Sequence, residues 1–299
     1  MILLAPLHRA LVRLTALAVM VVLLAAGPTL VGSPAQARED DTSARSAARL
    51  PVRFSVATLN LKKGMRVPGM RHDIGRVLHG GASVIGFQER LFSRPALRAS
   101  LPKSWTLLMP NGPTGTDDNP IAFDKRVWKL EKTWSALLTG KTWRRQSGRV
   151  AHDQYGVVAV LRHRRTGHTI RAVSFHLPNH LHNRRTGGPN YRNMGGVRAM
   201  WRMANRIRDI EKGTRPAHQF VAMCDCNVTE NRDTTDQLVK GRITKPLRLE
   251  TNYSGRKGGS GIDYVMAERR SAFRIDSFEM YRRLVTDHPG IVATFKRVR

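Results

Sequence analysis

Residues 220–227 read FVAMCDCN, and this stretch decides how the rest of the chain is interpreted. A short apolar run that follows Pro216 and ends in polar residues is typical of a buried strand. Side chains two residues apart on a strand share a face, so Asp225 and Asn227 are expected side by side at its end. A carboxylate and an amide held in this way can orient a water molecule or bind a hard metal ion, although polar residues also end strands simply by forming turns.

The two cysteines of the chain, Cys224 and Cys226, lie in the same stretch. On a regular strand both would point away from Asp225 into the core, in a geometry that disfavours a bond between them. The sequence therefore predicts two buried thiols, with a local disulfide and a soft-metal site as the alternatives.

Polar residues lie at one end of six predicted strands, in some cases the amino end. In chain order they are Asn60, Glu89, His176, Asp225 with Asn227, Asp263, and Asp287 with His288. Turn formation explains each of them singly, but together at one rim they would crowd several carboxylates beside two imidazoles. Carboxylates so close raise one another's pKa unless a cation is present. A divalent metal with oxygen ligands resolves that conflict, and Mg²⁺ characteristically combines one or two carboxylates with waters and substrate phosphates.

Hydrophobic periodicity outlines the remaining elements. Apolar runs and alternation predict strands over 53–60, 83–89, 120–123, 128–138, 156–161, 169–176, 262–266 and 291–295, and helical spacing predicts helices over 70–78, 93–100 and 197–210. Hairpin-like strand pairs are mixed with helical crossovers. The layer rules then favour an α/β fold in which helices cover packed sheets.

The amino-terminal segment has the layout of a secretory signal peptide. Two arginines precede an apolar run over 14–26, and a small-residue cleavage site ends at Ala37. The sequence predicts cleavage after Ala37 and secretion, with an uncleaved anchor as the alternative. Residues 38–50 are polar and charged and predict a disordered leader, so one folded domain is expected over 51–299.

A strong positive charge indicates the class of partner. The formal net charge is +29, and pairs of basic residues such as Arg184 and Arg185 follow the predicted strand that ends at His176. This excess attracts polyanions, so nucleic acid is the expected partner and an anionic membrane is the alternative. A basic surface without a cognate polyanion would have the same composition, so charge alone indicates no chemistry.

Seven short motifs resemble those of the endonuclease/exonuclease/phosphatase superfamily and occur in the same order. They are VATLN (56–60), GFQE (86–89), NPIAF (119–123), VSFHL (173–177), CDCN (224–227), GIDY (261–264) and TDHP (286–289). The resemblance covers nearly all of the predicted domain. It implies a four-layered α/β sandwich, in which two packed mixed β-sheets are flanked by helices, and metal-dependent hydrolysis of phosphoesters.

The resemblance also implies a metal site and a set of substrate contacts. Glu89 matches the main Mg²⁺ ligand, with Asn60 and Asp287 beside it. Mn²⁺ and Ca²⁺ are the alternatives to Mg²⁺. Arg90 and Asn119 are expected to contact the substrate, and the pattern of positive charge adds Arg184 and Arg185 as further expected contacts.

Five further residues match catalytic positions of the superfamily. Asp225 resembles the residue that orients or deprotonates the attacking water, and Asn227 resembles the one that holds this carboxylate and the phosphate. His288 matches an imidazole paired with Asp263, whose charge fixes the tautomer. His176 matches a second imidazole near the leaving oxygen in the nucleases.

Two departures from the superfamily pattern stand out, and one partner is left with two candidates. The chain has CDCN where the superfamily usually has Gly-Asp-Phe-Asn, which alters the packing around the polar pair. Asp124 stands where many members carry an arginine that contacts phosphate. The carboxylate expected to orient His176 is assigned to Asp117 or Asp118.

The function expected from the sequence is that of a secreted, monomeric, non-specific nuclease acting on DNA, RNA or both. The first alternative is a sphingomyelinase-type phospholipid phosphodiesterase, which is less favoured because the segment between Asp263 and Asp287 carries few aromatic residues. The second is a basic nucleic-acid-binding protein without catalytic activity.

Overall fold

A computed structural model describes residues 53–62, 64–89, 94–110, 119–140, 153–181, 190–213, 218–228, 249–251, 261–268 and 273–297. All of them belong to the unit Arg49–Arg299. The predicted signal peptide and leader lie outside these ranges, so both stay predictions. Over the described ranges, no helix combines the length and the apolar character needed to span a membrane.

Strands dominate the described part of the chain. In chain order the elements are β1 (Arg53–Asn60), α1 (Val67–His79), β2 (Ala82–Gln88), α2 (Arg94–Ser100), β3 (Trp105–Leu108), β4 (Ile121–Asp124), β5 (Trp128–Thr139), β6 (Gln154–His163), β7 (Thr169–His176), α3 (Met194–Lys212), β8 (His218–Asp225), β9 (Leu249–Thr251), β10 (Asp263–Glu268), β11 (Phe273–Tyr281) and β12 (Gly290–Arg297). A 3₁₀ turn at Tyr191–Asn193 leads into α3.

The strands form two mixed sheets. The first has the order β11-β12-β1-β2-β4-β3 and the second the order β5-β6-β7-β8-β10-β9. Strands β1 and β2 are parallel, as are β7 and β8, whereas β10 runs antiparallel to β8. The carboxyl ends of the parallel strands therefore lie at one rim, and β10 begins at that same rim.

Three apolar clusters separate four layers of secondary structure. One cluster fills the space between the two sheets, a second lies beneath α1 and α2, and a third lies beneath α3. Helix α3 contributes Val197, Met200, Ala204 and Ile207 to the third cluster, at the spacing of a single helical face. The predicted four-layered α/β sandwich is thus confirmed.

The two sheets approach closely beneath the rim. A Cβ atom on Gly86 of β2 would lie 2.7 Å from the Cβ of Met223 on β8, so only glycine fits there. Beside this contact, Gln88 accepts a hydrogen bond from Thr58 on its own sheet at 3.0 Å and donates one to Ser174 of the other sheet at 3.2 Å. This buried network fixes the separation of the two rims.

The structure corrects the element predictions at several places. Strands β3, β9 and β11 were not predicted. Strand β8 ends at Asp225, so the expected strand over 220–227 is wrong in its last two residues. The prediction of two free thiols is also wrong, because Cys224 and Cys226 form a disulfide.

The physical reason for that disulfide is the early end of the strand. Residues i and i+2 of a regular strand lie about 6.6 Å apart, near the upper limit for a disulfide. Here Cys226 has left the strand, its N–H donates to the carbonyl of Ile262, and the two Cα atoms are 5.4 Å apart. Both cysteines are buried in the cluster beneath α3, as the sequence predicted.

Candidate active site

Asp225 lies at the centre of a group of polar side chains at the rim. Its Oδ2 accepts a hydrogen bond from Asn60 Nδ2 at 2.8 Å and lies 3.3 Å from His176 Nε2 and 3.8 Å from His288 Nδ1. Its Oδ1 accepts the backbone N–H of Asn227 at 2.8 Å. Because Asn60 ends β1 of the first sheet, these contacts join the two sheets at the site.

Strand register places the site residues of the second sheet. His176 on β7 and Asp263 on β10 are both direct neighbours of Asp225 on β8. Adjacent positions on neighbouring strands point their side chains to the same face. Three groups far apart in sequence therefore meet without any special loop geometry.

Asp263 and His288 form a close pair, and both line a cavity. Asp263 is fully buried, and its Oδ2 lies 2.9 Å from His288 Nδ1. Burial raises the pKa of the Asp263 carboxyl to about 6, and the charge of Asp225 acts in the same direction. Burial opposes a charged imidazole, but the hydrogen bond with Asp263 and the charge of Asp225 outweigh it and raise the pKa of His288 to about 9. At neutral pH the pair therefore holds an ionised carboxylate and a protonated imidazole, which leaves Nε2–H of His288 for other partners.

Asp225 is kept ionised by the histidines around it. Burial alone would raise its pKa, but the charge and hydrogen bond of His176 and the charge of His288 lower it below the ordinary value for an aspartate. In return, burial disfavours a charged His176, yet the nearby Asp225 carboxylate raises the pKa of that imidazole overall. A carboxylate that stays charged while buried can accept a proton from a water molecule.

Asn227 fixes the orientation of His176. Its Nδ2 donates to the carbonyl of Leu177 at 2.8 Å and contacts His176 Nε2 at 2.8 Å. Exchanging the amide N and O would set two carbonyl oxygens against each other, so the amide nitrogen is the atom that faces His176. This contact holds the imidazole beside Asp225.

Two of the site residues have a left-handed backbone. Glu89 has φ of 55° and Asn227 has φ of 53°. Asparagine adopts this conformation readily, whereas for glutamate it is unusual and is typical of residues held in place at functional sites. Asn227 thus reaches Asp225 through a turn, not through the strand alternation expected from the sequence.

The donor set fits a divalent metal. Oδ1 of Asn60 is buried and has no hydrogen-bond partner among the described residues, although its Nδ2 is bonded. Ligand atoms of Glu89, His176 and Asp225 lie within 4.8 Å of one another, as do those of Asp225, Asp263 and His288. Glu89 and Asn60 are the residues that would hold the ion, with Asp225 adjacent to them.

Asp287 stands apart from both of these groups. Its side chain is 64% exposed and lies 3.9 Å from Lys62 Nζ. It lines the same cavity as Asp263 and His288. Its expected role as a metal ligand therefore stays a prediction.

The expected substrate contacts fall largely outside the described residues. Arg90, Arg184 and Arg185 lie there, as do Asp117 and Asp118. Asn119 is described and buried, with Nδ2 donating to the carbonyl of Tyr155 at 2.7 Å and Oδ1 unpaired within the described ranges.

Asp124, the departure noted from the sequence, is not part of the site. It is buried at the end of β4 and forms an ion pair with Arg126. Strand β4 runs antiparallel to β2, so Asp124 lies at the opposite end of the sheet from Glu89. No phosphate contact is expected from this position.

Asp73 is a supporting residue that the sequence reasoning missed. It is fully buried on α1, and its two oxygens accept the backbone N–H groups of Val285 and Thr286 at 2.8 and 2.9 Å. The Thr286 hydroxyl in turn accepts the N–H of His288 at 3.4 Å. An aspartate on the apolar face of the predicted helix was the available signal, because an acidic residue is rarely buried without a partner.

Comparisons with known proteins support the fold. No protein-family model matches the chain, and no curated protein matches it in sequence. Among solved structures, an endonuclease/exonuclease/phosphatase from Bacteroides vulgatus is 17% identical, covers 82% of this chain and 99% of its own, and has a TM-score of 0.61. A mannosyl-6-phosphatase from Bacteroides thetaiotaomicron is 14% identical, with 81% and 99% coverage and a TM-score of 0.58.

A further similar structure contains nucleic acid. TDP2 from D. rerio, complexed with a single-strand DNA product, is 13% identical, with 81% and 98% coverage and a TM-score of 0.56. Identities this low establish an architecture and no activity. The chain therefore has the fold of the endonuclease/exonuclease/phosphatase proteins, as its seven motifs implied.

Proposed function

We propose that the chain is a secreted phosphodiesterase that depends on a divalent metal and hydrolyses nucleic acid. The observation that carries this proposal is the convergence of Asn60, His176 and His288 on the single carboxylate of Asp225. These groups come from four separate places in the sequence and from both sheets. Structural needs alone do not explain a buried carboxylate placed between two imidazoles.

The reaction that fits is in-line attack of water on phosphorus. Asp225 orients the water and accepts its proton as the new P–O bond forms and the P–O bond to the leaving oxygen breaks. His288, kept charged by Asp263, donates from Nε2 to a phosphate oxygen and stabilises the charge that develops there. His176, whose charged form the Asp225 carboxylate favours, donates the proton that the leaving oxygen takes as it departs. A divalent ion, when bound, supplies neutralisation of phosphate charge.

Two observations favour nucleic acid over phospholipid. The net charge of +29 suits a polyanionic substrate. In β11, Phe273 is buried and Phe278 packs against the core between the sheets, so neither forms an exposed aromatic hairpin that would enter a membrane. A mannosyl-6-phosphatase and a TDP2 complexed with a single-strand DNA product have similar folds, so this architecture serves different phosphate chemistries and substrate preference needs its own test.

The test is a parallel digestion by the chain that begins after Ala37. Supercoiled plasmid, single-stranded DNA, RNA and sphingomyelin vesicles are each incubated with Mg²⁺, with Mn²⁺ and with EDTA. The proposal expects metal-dependent cleavage of a nucleic acid and little release of phosphocholine. Faster turnover of the vesicles would replace it with the phospholipase alternative, and binding without any cleavage would favour the non-catalytic one.

A further inference from the structure

We propose that Arg282 and Arg283 bind a second phosphate group of the substrate, next to the one that is cleaved. The inference deepens the proposed function and rests on it. It implies that the preferred substrate is a polynucleotide with flanking phosphates, in contrast to an isolated phosphodiester.

The two arginines line a cavity that they share with the catalytic pair. The cavity has a volume of about 500 Å³, and its lining includes Asp263 and His288 as well as Arg282 and Arg283. Pockets of about 300–1,000 Å³ hold ligands larger than a single phosphate group. A substrate bound at His288 therefore extends naturally toward the arginines.

Neither arginine has a competing partner in the described part of the chain. Among the residues that the structure describes, none forms a hydrogen bond or ion pair with Arg282 or Arg283, and both side chains are exposed. The carboxylates nearby in sequence are engaged elsewhere, since Glu279 accepts a hydrogen bond from Tyr281 and Asp287 lies 3.9 Å from Lys62. Two guanidinium groups without a carboxylate partner are suited to bidentate recognition of phosphate oxygens.

The backbone that carries the arginines is held by the body of the fold. Immediately after them, Val285 and Thr286 donate their N–H groups to the buried carboxylate of Asp73. Arg283 has φ of 59°, the same unusual conformation as Glu89 and Asn227. A segment anchored in this way holds the backbone of the two arginines at a fixed place relative to His288, so binding need not order that backbone.

The experiment compares two substrates and two matched double variants. Arg282→Ala/Arg283→Ala removes two charges beside the cavity. Arg274→Ala/Lys296→Ala removes two charges from cross-strand partners at the far end of β11 and β12. Each protein is assayed with bis(4-nitrophenyl) phosphate, which has no flanking phosphate, and with a fluorescently labelled ten-nucleotide DNA.

The cavity variant is expected to raise the KM for the oligonucleotide by at least tenfold and to leave turnover of the small diester unchanged. The salt dependence of oligonucleotide binding should fall by about one unit of slope for each arginine that contacts phosphate. The distal variant should change both substrates little.

Three results would overturn the inference. Equal loss on both substrates would make the arginines part of the general support of the site. Equal effects of the two double variants would show that the arginines act only through the overall positive charge of the protein and do not contact a phosphate. A wild-type protein that cleaves neither substrate would contradict the proposed function itself, and this inference with it, whereas the first two results leave the proposed function standing.

Discussion

The two polar atoms of the Asn60 amide group have different surroundings. Its Nδ2 holds Asp225, and its buried Oδ1 is left without a partner in the described structure. An unpaired buried acceptor costs about 1–3 kcal/mol, so its persistence at the rim is consistent with a bound cation.

Replacing Asn60 should therefore affect metal affinity before it affects folding. In Asn60→Ala, Mn²⁺ affinity is expected to fall about 10- to 100-fold because a ligand and a support of Asp225 are both lost. Calorimetric titration measures the affinity, and circular dichroism verifies that the fold is retained. Unchanged Mn²⁺ binding by a folded variant would remove Asn60 from the metal site.

Asp73 should influence catalysis without contacting the substrate. Asp73→Asn keeps one acceptor and loses the other, so one backbone N–H at Val285 or Thr286 is left buried and unpaired. We expect a loss of about 1–3 kcal/mol in the free energy of unfolding and a fall in kcat because His288 shifts.

The control for this prediction is His72→Ala, which removes the neighbour of Asp73 at 2.8 Å and leaves the backbone contacts intact. Guanidinium unfolding and steady-state kinetics measure both effects. If Asp73→Asn lowered stability with no change in kcat, Asp73 would be purely structural.

Single residues differed in how well the sequence predicted them. Glu89 and Asp225 could be predicted because each lies at the carboxyl end of an apolar strand, and such ends converge at a rim. His288 lies just before β12 and was found through its motif. The contacts between these residues could not be predicted. The bond from Asn60 to Asp225 and the support of Thr286 by Asp73 both join segments that are far apart in the chain.

At the scale of elements, the carboxyl end of β8 is the feature that the sequence misjudged. The apolar run through Cys226 suggested a longer strand, but the chain turns after Asp225 and brings the two cysteines together.

The edge strand β11 was missed for a different reason. Only its first residue is buried, so its pattern of alternating partial exposure carries little hydrophobic signal.

The disulfide gives a direct prediction for the exported protein. Thiol titration under denaturing conditions should detect no free thiol before reduction and two afterwards. Detection of two thiols in the unreduced protein would contradict the disulfide and support the two free thiols predicted from the sequence.

Removing the disulfide should alter the turn that carries Asn227. Cys224→Ala/Cys226→Ala is expected to cost only about 1–2 kcal/mol of stability, because the bond closes a very short loop. Activity should fall further than this loss suggests, since the turn positions Asn227 against His176. Thermal unfolding and kcat separate the two effects, and wild-type kcat in the variant would show that the turn is self-supporting.

For the whole molecule, the order of the motifs was enough to predict four layers, because each motif has a fixed place in that architecture. The order of strands within the sheets was less accessible. Strand β1 pairs with β12, from the opposite end of the chain, and no local pattern specifies such a contact.

Stability should depend on pH through a histidine far from the candidate site. Burial is the main cause that lowers the pKa of His168 to about 4, and the ring packs 4.2 Å from that of Phe273. The unfolded chain binds this proton near pH 6.5, so the contribution of neutral His168 is complete above that pH and is lost as the pH falls toward 4. Arg297, His163 and His218 are the charged and titratable groups that oppose protonation.

The variant His168→Phe isolates this contribution. Between pH 7 and pH 5, the wild type should lose about 1 kcal/mol more unfolding free energy than the variant, a figure that allows for the partial exposure of the ring. Guanidinium unfolding at both pH values measures the difference. Parallel losses in the two proteins would show that His168 titrates normally in the folded state.

In the function proposed above, Asp225 and His288 act together in one hydrolytic site on a nucleic-acid-binding surface. The most direct measurement is DNA hydrolysis by Asp225→Ala and by His288→Ala, with salt-dependent DNA binding measured on the same preparations. Both variants should lose hydrolysis by several orders of magnitude and should still bind DNA in a salt-sensitive manner. Hydrolysis at the wild-type rate by both variants would contradict the account.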